Sequence, residues 1–250
     1  MKKRQNGNIL FIIIVAIGLL AALMMSLSSS ERYSDTMDAE QTNLQLQEIY
    51  SYAQTLEKAL NKVMLQNGCE ISEVSFDHPD LENYNTTNYY LNTNSPGDES
   101  CHIFEPEGGG VKYQVPPDIA QDAGGYEYGV LRVFGVGGIG TGQDVGDDFG
   151  AELLLHTKLP EKACLKVNND IGIENTGGIP PQRAFITITL PYPTHRTFPR
   201  FSDGVDGLVW GNNIGVGGSN FAPELYGYKS GCFETSLDQT FNYYYVLLAR

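Results

Sequence analysis

Two short acidic segments carry the side chains of this sequence that are best suited to binding a metal ion. Both combine aspartates with glycine, and the candidate ligands are Asp144, Asp147, Asp148, Asp203 and Asp206. Calcium takes about six to eight oxygen ligands, and closely spaced carboxylates in turns can supply them. Neither segment has the spacing of an EF-hand loop, and the alternative is a pair of solvated aspartate turns. The sequence therefore predicts no obligatory cofactor and names calcium as the metal to test.

Four cysteines offer a second kind of chemistry, and all of them follow an apolar run near the N-terminus. They are Cys69, Cys101, Cys164 and Cys232, and no two have the C-x-x-C spacing of zinc sites and thiol oxidoreductases. An even number of cysteines in an oxidising compartment predicts two disulfides. Among the three pairings we favour Cys69 with Cys101 and Cys164 with Cys232, because these bonds close loops that do not overlap. The alternative is that the cysteines are buried free thiols.

A glycine-rich segment at residues 135–140 matches the G-x-G-x-x-G pattern of dinucleotide-binding sites. Such a site needs a helix that begins at the motif, so that the N-terminus of the helix faces the pyrophosphate. The residues that follow, Thr-Gly-Gln-Asp-Val-Gly, form helices poorly, so we interpret the segment as a loop. The four histidines are scattered and belong to no metalloprotease or nucleophile motif. We therefore predict that the chain is not an enzyme.

The overall composition excludes one class of partner and indicates a fold class. The net charge of the chain is −14, whereas a nucleic-acid partner requires a basic surface, so we expect no nucleic-acid binding. Charged residues make up only 18%, while there are 28 glycines and 15 tyrosines. This mixture predicts strands joined by long loops and is untypical of helical bundles or disordered chains.

The N-terminus has the pattern of a membrane anchor. Lys2, Lys3 and Arg4 precede an uncharged apolar run at residues 9–27. At about 1.5 Å per residue this run spans roughly 28 Å, the thickness of the hydrocarbon layer of a bilayer. The preceding basic residues predict a cytoplasmic N-terminus and an extracytoplasmic remainder. The alternatives are an ordinary uncleaved anchor and a cleaved secretory signal peptide.

The same N-terminus resembles the class III leader of type IV prepilins, because Lys2-Lys3-Arg4-Gln5-Asn6-Gly7 is followed at once by apolar residues. In that family a prepilin peptidase cuts after the glycine and methylates the new N-terminus. The resemblance implies a leader at residues 1–7, cleavage between Gly7 and Asn8, and retention of the apolar helix. The family usually has glutamate at the fifth mature position, where this chain has Ile12, as in some minor pseudopilins at filament tips.

A second helical pattern follows the apolar run. Its apolar positions are separated by steps of three and four residues, and they are Leu46, Ile49, Ala53, Leu56, Leu60 and Val63. This stripe predicts an amphipathic helix that ends at Asn67-Gly68. Together the two patterns predict one long helix at residues 8–66, which is the architecture that the pilin resemblance implies. The stripe would pack on the head of the same chain, or alternatively form the seam of a dimeric coiled-coil stalk.

The rest of the chain, residues 67–250, is predicted to form a disulfide-stapled α+β head with an antiparallel sheet. Alternating or continuous apolar residues predict strands at 128–134, 184–190, 207–210 and 243–248, the last of them central and buried on both faces. Residues 147–168 are predicted to be helical. This segment and Cys232 faintly resemble the second helical region and the C-terminal disulfide of type IVb pilins.

These observations together predict a structural subunit, or a minor or tip component, of a type IV pilus-like or type II secretion pseudopilus-like filament. The expected partners are the inner membrane, the prepilin peptidase and other copies or related pilin-like subunits. The expected location is the inner membrane as a single-pass protein, with the head in the periplasm or at the cell surface. The residues expected to carry assembly are Phe11, Ile12, Ile13, Leu19 and Leu20. The alternatives are a monomeric anchored binding or adhesion protein and, less favoured, an extracytoplasmic enzyme.

Overall fold

The chain is mixed in secondary structure and divides into two compact units, Met1–Leu44 and Gln45–Arg250. A computed structural model of the chain describes residues 13–20, 30–80, 92, 94–121, 125–133, 152–183, 213–214, 222–235 and 239–249. The predictions for residues 184–190 and 207–210 lie outside these ranges, as do all five aspartates proposed as calcium ligands. The leader at 1–7, the cleavage site Gly7–Asn8, and Phe11 and Ile12 also lie outside them.

Two helices are the main helical elements, α1 at Ser30–Leu65 and α2 at Glu161–Ile171. Helix α1 ends where the sequence predicts, because Gly68 has a φ of 74° and the backbone N–H of Cys69 donates to the carbonyl of Val63 over 3.1 Å. A glycine accepts this left-handed conformation without steric cost. In the part of the chain that the structure describes, short 3₁₀ turns lie at Ile71–Glu73, Thr176–Gly178 and Pro223–Leu225.

The long N-terminal helix expected at residues 8–66 is found only in part. Residues 13–20 are helical and Ser30–Leu65 forms α1, whereas residues 8–12 and 21–29 lie outside the described part of the chain. Among the residues that the structure describes, no helix combines the length and the apolar character needed to cross a bilayer. The membrane-spanning segment at 9–27 therefore stays a prediction.

In the part of the chain that the structure describes, the sheet has six strands. Four of them are long, and each long strand runs antiparallel to the long strands beside it. In chain order they are β1 Glu127–Val133, β2 Glu152–Leu159, β3 Gln182–Arg183, β4 Asn213–Ile214, β5 Ser230–Thr235 and β6 Phe241–Leu248. Their order across the sheet is β3-β5-β6-β2-β1-β4. The two-residue strands β3 and β4 run parallel to their neighbours β5 and β1. The predicted α+β class with an antiparallel sheet is thereby confirmed.

Two of the predicted strands are confirmed, at β1 and β6. Strand β6 pairs with β5 on one side and β2 on the other, and residues 242–247 are buried, so it is the central, two-sided strand that its Tyr-Tyr-Tyr-Val-Leu-Leu sequence predicts. A strand with both faces covered needs no polar alternation, and for that reason its sequence is continuously apolar.

The prediction of helix over residues 147–168 is wrong in its middle part. Glu152–Leu159 is strand β2, paired with β1 and β6, and only the part after Pro160 is helical, as α2. Leucine, glutamate and lysine have good helix propensity, but propensity is a weak preference that burial between two strands overrides. Because β2 is also buried on both faces, it lacks the alternation that marks a half-exposed strand.

Helix α1 packs on one face of this sheet. All six residues of its apolar stripe are buried, none more than 4% exposed, in one cluster with Tyr128, Leu155, Tyr243 and other side chains of the sheet. The stripe is therefore covered by the head of its own chain, and the coiled-coil alternative is wrong for these residues. The opposite face of the sheet has a separate apolar cluster, consisting of Leu154, Ile173, Ala222, Leu225, Phe233, Tyr244 and Val246.

An asparagine of α2 covers part of the outer edge of β5. The Oδ1 atom of Asn168 accepts from the backbone N–H of Cys232 over 2.9 Å, and its Nδ2 atom donates to the carbonyl of the same residue over 2.9 Å. The amide thereby takes the place of a neighbouring strand at a position that would otherwise leave buried backbone groups unpaired. Asn168 lies one turn after Cys164, so α2 is fastened to β5 twice.

Candidate functional site

Both disulfides join a helix to the rest of the head, and they are the two pairs that the sequence analysis favoured. Cys69 bonds to Cys101 just beyond the end of α1, and Cys164 of α2 bonds to Cys232 of β5. All four residues are buried. The first disulfide closes a loop that returns to α1, and the second holds α2 on the sheet face that α1 also covers.

The last turn of α1 is held by the loop at residues 99–109. The Nζ atom of Lys62 donates to the carbonyl of Gly108 over 2.6 Å. The Nδ2 atom of Asn67 donates to the carbonyls of Ser100 and Glu107 over 2.7 and 3.1 Å. A β-carbon at Gly108 would collide with the backbone carbonyl of a neighbouring turn, so only glycine fits. The loop therefore supplies backbone carbonyl acceptors to two side chains at the end of α1.

The middle of α1 is held to the sheet by a charged and aromatic group. Glu57 accepts hydrogen bonds from the hydroxyl of Tyr245 over 2.7 Å and from the Nζ atom of Lys229 over 2.6 Å. The same Nζ atom lies 5.1 Å from the centroid of the Tyr245 ring. Burial, and next the bond to Glu57, raise the pKa of Tyr245 above its ordinary value. These contacts set the position of α1 along the sheet in a way that apolar packing alone does not.

Tyrosines fill much of the core on both faces of the sheet. Tyr126 and Tyr243 are buried on the α1 side, and Tyr244 is buried on the opposite face. Burial raises the pKa of all three hydroxyl groups well above the ordinary tyrosine value, because the charged phenolate loses its solvation there. These three tyrosine hydroxyl groups must therefore stay neutral while the head is folded.

A row of polar side chains crosses three strands on the face of the sheet opposite α1. The Nδ1 atom of His156 lies 3.2 Å from the Oε2 atom of Glu127, and its Nε2 atom lies 2.9 Å from the Oδ1 atom of Asn242. The Nδ2 atom of Asn242 donates to the carbonyl of Thr240 over 2.9 Å, which directs its Oδ1 atom at the histidine. The histidine therefore donates through Nε2 to Asn242.

This row braces the strands and does not have the arrangement of a nucleophilic site. A carboxylate–histidine pair activates a nucleophile only when the second ring nitrogen is directed at a hydroxyl or thiol. In His156 that nitrogen is engaged by an amide oxygen, and the side chain is fully buried. This row was not predicted from the sequence. The segment around His156 was predicted as helix, and a helix gives no reason to expect His156 beside residues of other strands.

The described residues that could hold a metal ion are three glutamates in the loop beside α1. The carboxylates of Glu99, Glu105 and Glu107 lie within 4.8 Å of one another, and Glu99 and Glu107 are exposed. They offer one ligand atom each, fewer than the about six that calcium requires, so an ion there would keep most of its water. The sequence analysis did not single out these residues, which the loop brings together from two sides of Cys101.

The residues expected to carry assembly fall on the helical stretch 13–20, as far as they are described. All eight residues of the stretch are exposed, and Ile13, Leu19 and Leu20 are each more than half exposed, at 52%, 62% and 58%. A helix that is apolar on every side is typical of membrane spans and of the interior of helix bundles. The geometry here offers a contact surface and no chemical group.

No protein-family model matches the chain, and no curated protein or solved structure matches it either.

Proposed function

We propose that the chain is a structural subunit, or a minor or tip component, of a type IV pilus-like or type II secretion pseudopilus-like filament. The observation that carries the proposal is the helical stretch at residues 13–20, whose apolar side chains are all exposed. Ile14 and Ile17, at 59% and 61% exposure, lie on different sides of this helix from Leu19. A surface of this kind requires lipid tails or other apolar helices around it.

The construction of the head supports the same proposal. The apolar stripe of α1, from Leu46 to Val63, is part of the core of the unit Gln45–Arg250. This part of α1 is therefore connected to the folded head by burial. The disulfides at the end of α1 and at α2 reinforce this connection, as a subunit under load outside the cytoplasm requires.

The mechanism is physical and follows from the hydrophobic effect. Apolar segments at residues 8–27 would leave the bilayer and pack into a bundle without exposing that surface to water. The heads would then pack outside the bundle and set the spacing of subunits. Processing by a prepilin peptidase after Gly7 would free Asn8 as the N-terminus, and the inner membrane would hold the chain before assembly.

The experiment compares the full chain with a chain that lacks residues 1–30. We expect the full chain to fractionate with membranes or fibres and the shortened chain to remain a dissolved monomer, since it keeps the unit Gln45–Arg250. Electron microscopy and sedimentation distinguish these states. If the shortened chain still formed filaments, assembly would not depend on the apolar helix and the proposal would be wrong.

One observation favours a second candidate, a monomeric anchored protein that binds or adheres through its head. Ile12 stands where the pilin family usually carries glutamate, so the chain has no carboxylate there to offset the charged N-terminus of a neighbouring subunit. The N-terminal mass of the protein isolated from membranes discriminates between the two. A methylated Asn8 supports the filament proposal, and an intact Met1 supports the plain anchor.

A further inference from the structure

Asn67 and Gly68 form the residue pair at which the side-chain amide of an asparagine is most readily hydrolysed. The backbone nitrogen of the following residue attacks the side-chain amide carbon, and glycine hinders this approach least because it has no side chain. Both residues are exposed, and a β-carbon placed on Gly68 would meet no atom within 4 Å apart from its chain neighbours. The exposure of this pair alone would therefore favour rapid conversion of Asn67 to aspartate or isoaspartate.

The folded head restrains the reacting group. The Nδ2 atom of Asn67 is held by two backbone carbonyls, that of Ser100 over 2.7 Å and that of Glu107 over 3.1 Å. Ring closure requires the amide carbon to rotate towards the nitrogen of Gly68, which would pull Nδ2 away from both acceptors. Each acceptor belongs to the loop at 99–109, and that loop is held beside α1 by the disulfide between Cys69 and Cys101.

We propose that Asn67–Gly68 is a hydrolytic modification site that the oxidised head keeps closed and that opens when the Cys69–Cys101 disulfide is absent. In the reaction a bond forms between the nitrogen of Gly68 and the side-chain carbon of Asn67. The bond from that carbon to Nδ2 breaks, and ammonia leaves with the proton of the glycine nitrogen. Solvent water then opens the resulting succinimide to an aspartate or isoaspartate.

The product does not fit the folded arrangement. A carboxylate at this position would face the two carbonyl oxygens that now accept from Nδ2, with no proton to donate to either. Glu99, Glu105 and Glu107 already concentrate negative charge in the same loop. A chain in which Asn67 is converted while the disulfide is absent would therefore stay marked, because the new carboxylate offers no donor to the two carbonyls of the loop.

The experiment follows conversion of Asn67 in the full chain in detergent, incubated in water labelled with heavy oxygen at mildly alkaline pH. Peptide mapping by mass spectrometry reads the label at this position over time. The reference is a synthetic peptide of residues 63–72, in which the amide is unrestrained. Two hydrogen bonds of ordinary net strength must break in the oxidised head, so we expect conversion there to be slower than in the peptide by about tenfold to a hundredfold.

Two paired variants test the role of the particular disulfide. The Cys69→Ser/Cys101→Ser chain should convert Asn67 clearly faster than the oxidised wild-type chain does, while the matched Cys164→Ser/Cys232→Ser chain should stay slow. Equal rates in the two variants would overturn the link to the first disulfide. Equal rates in the oxidised wild-type chain and the peptide would overturn the whole proposal, and this comparison does not depend on whether either variant folds.

Discussion

The Nε2 atom of His156 lies 2.9 Å from the Oδ1 atom of Asn242 and thereby joins β2 to β6, the two strands at the centre of the sheet. The other ring nitrogen of His156 reaches Glu127 on β1. One buried side chain thus connects three neighbouring strands. Directional hydrogen bonds tolerate shifts between strands less well than apolar contacts do, so this row helps to specify one register.

Replacing His156 with leucine should destabilise the head by about 2–4 kcal/mol, because the buried Asn242 and the largely covered carboxylate of Glu127 would both lose a partner. The measurement is the free energy of unfolding in urea. The double variant Glu127→Leu/His156→Leu should cost less than the sum of the two single variants, since no carboxylate then remains unpaired. Lys166→Ala, at an exposed ion pair with Asp170, is the control and should change stability by less than about 0.5 kcal/mol. Additive costs would show that the row is not coupled.

Asn168→Ala should lower the free energy of unfolding by about 2–3 kcal/mol, because the backbone N–H and carbonyl of Cys232 both lose their partner in a buried place. Lys162→Ala is the control on the exposed side of α2. Hydrogen exchange at the Cys232 amide gives a direct reading and should accelerate only in the first variant. An unchanged exchange rate would mean that another group covers the strand edge.

Leu56→Ala, in the middle of the α1 stripe, should cost about 2–5 kcal/mol, since it opens a cavity in a fully buried site. Leu65 lies on the same helix and is 83% exposed, so Leu65→Ala should be nearly neutral. Thermal unfolding of the two variants measures the difference. Equal and small effects would support the coiled-coil interpretation of the stripe over packing on its own head.

The head should lose stability steeply in alkali. The pKa values of Tyr126, Tyr243 and Tyr244 are raised in the folded state, so the folded state keeps these protons to higher pH than the unfolded state does. The stability from the neutral hydroxyls is complete below the ordinary tyrosine pKa of 10.0 and is lost as pH rises above it. Each buried tyrosine then contributes a slope of about 1.4 kcal/mol per pH unit.

Urea unfolding at several pH values, together with tyrosinate absorbance, measures this effect. The variant Tyr244→Phe should have a shallower slope above pH 10, by about 1.4 kcal/mol per unit. Tyr226→Phe, at a tyrosine that is 47% exposed, is the matched control for the loss of one phenol group. A slope that is the same in wild type and Tyr244→Phe would show that Tyr244 ionises without unfolding.

Ile17→Lys should reduce the fraction of full-length chain found in membranes or filaments, because a lysine at the centre of an apolar helix costs about 2.5–3.5 kcal/mol in a bilayer. Ile17 is 61% exposed, so the substitution disturbs no packing in the described part of the chain. The midpoint of thermal unfolding of the head should stay unchanged. Ile17→Leu is the control and should partition like the natural chain. An unaltered membrane fraction for Ile17→Lys would contradict the proposed role of this helix.

Some features of this protein follow from local pattern and were predictable from the residues alone. The stripe from Leu46 to Val63 requires a helix with one buried face, and Asn67-Gly68 requires that helix to stop, because both signals lie within a few residues of the structure that they specify. The run of tyrosine, valine and leucine at β6 likewise predicts a central strand. The two disulfides followed from the order of four cysteines along the chain and from the simplest way of closing loops.

Other features depend on what the chain places next to each segment, and only the tertiary structure decided them. The residues Glu152–Leu159 have helix propensity, but they form β2 because β1 and β6 offer partners on both sides. The stripe of α1 has the spacing of a dimer seam, but the aromatic face of the sheet covers it within the same chain. The brace of Glu127, His156 and Asn242 requires a register among three strands that are distant in sequence. The structure of such segments depends on the burial that distant parts of the chain provide. A short stretch of sequence does not carry this information.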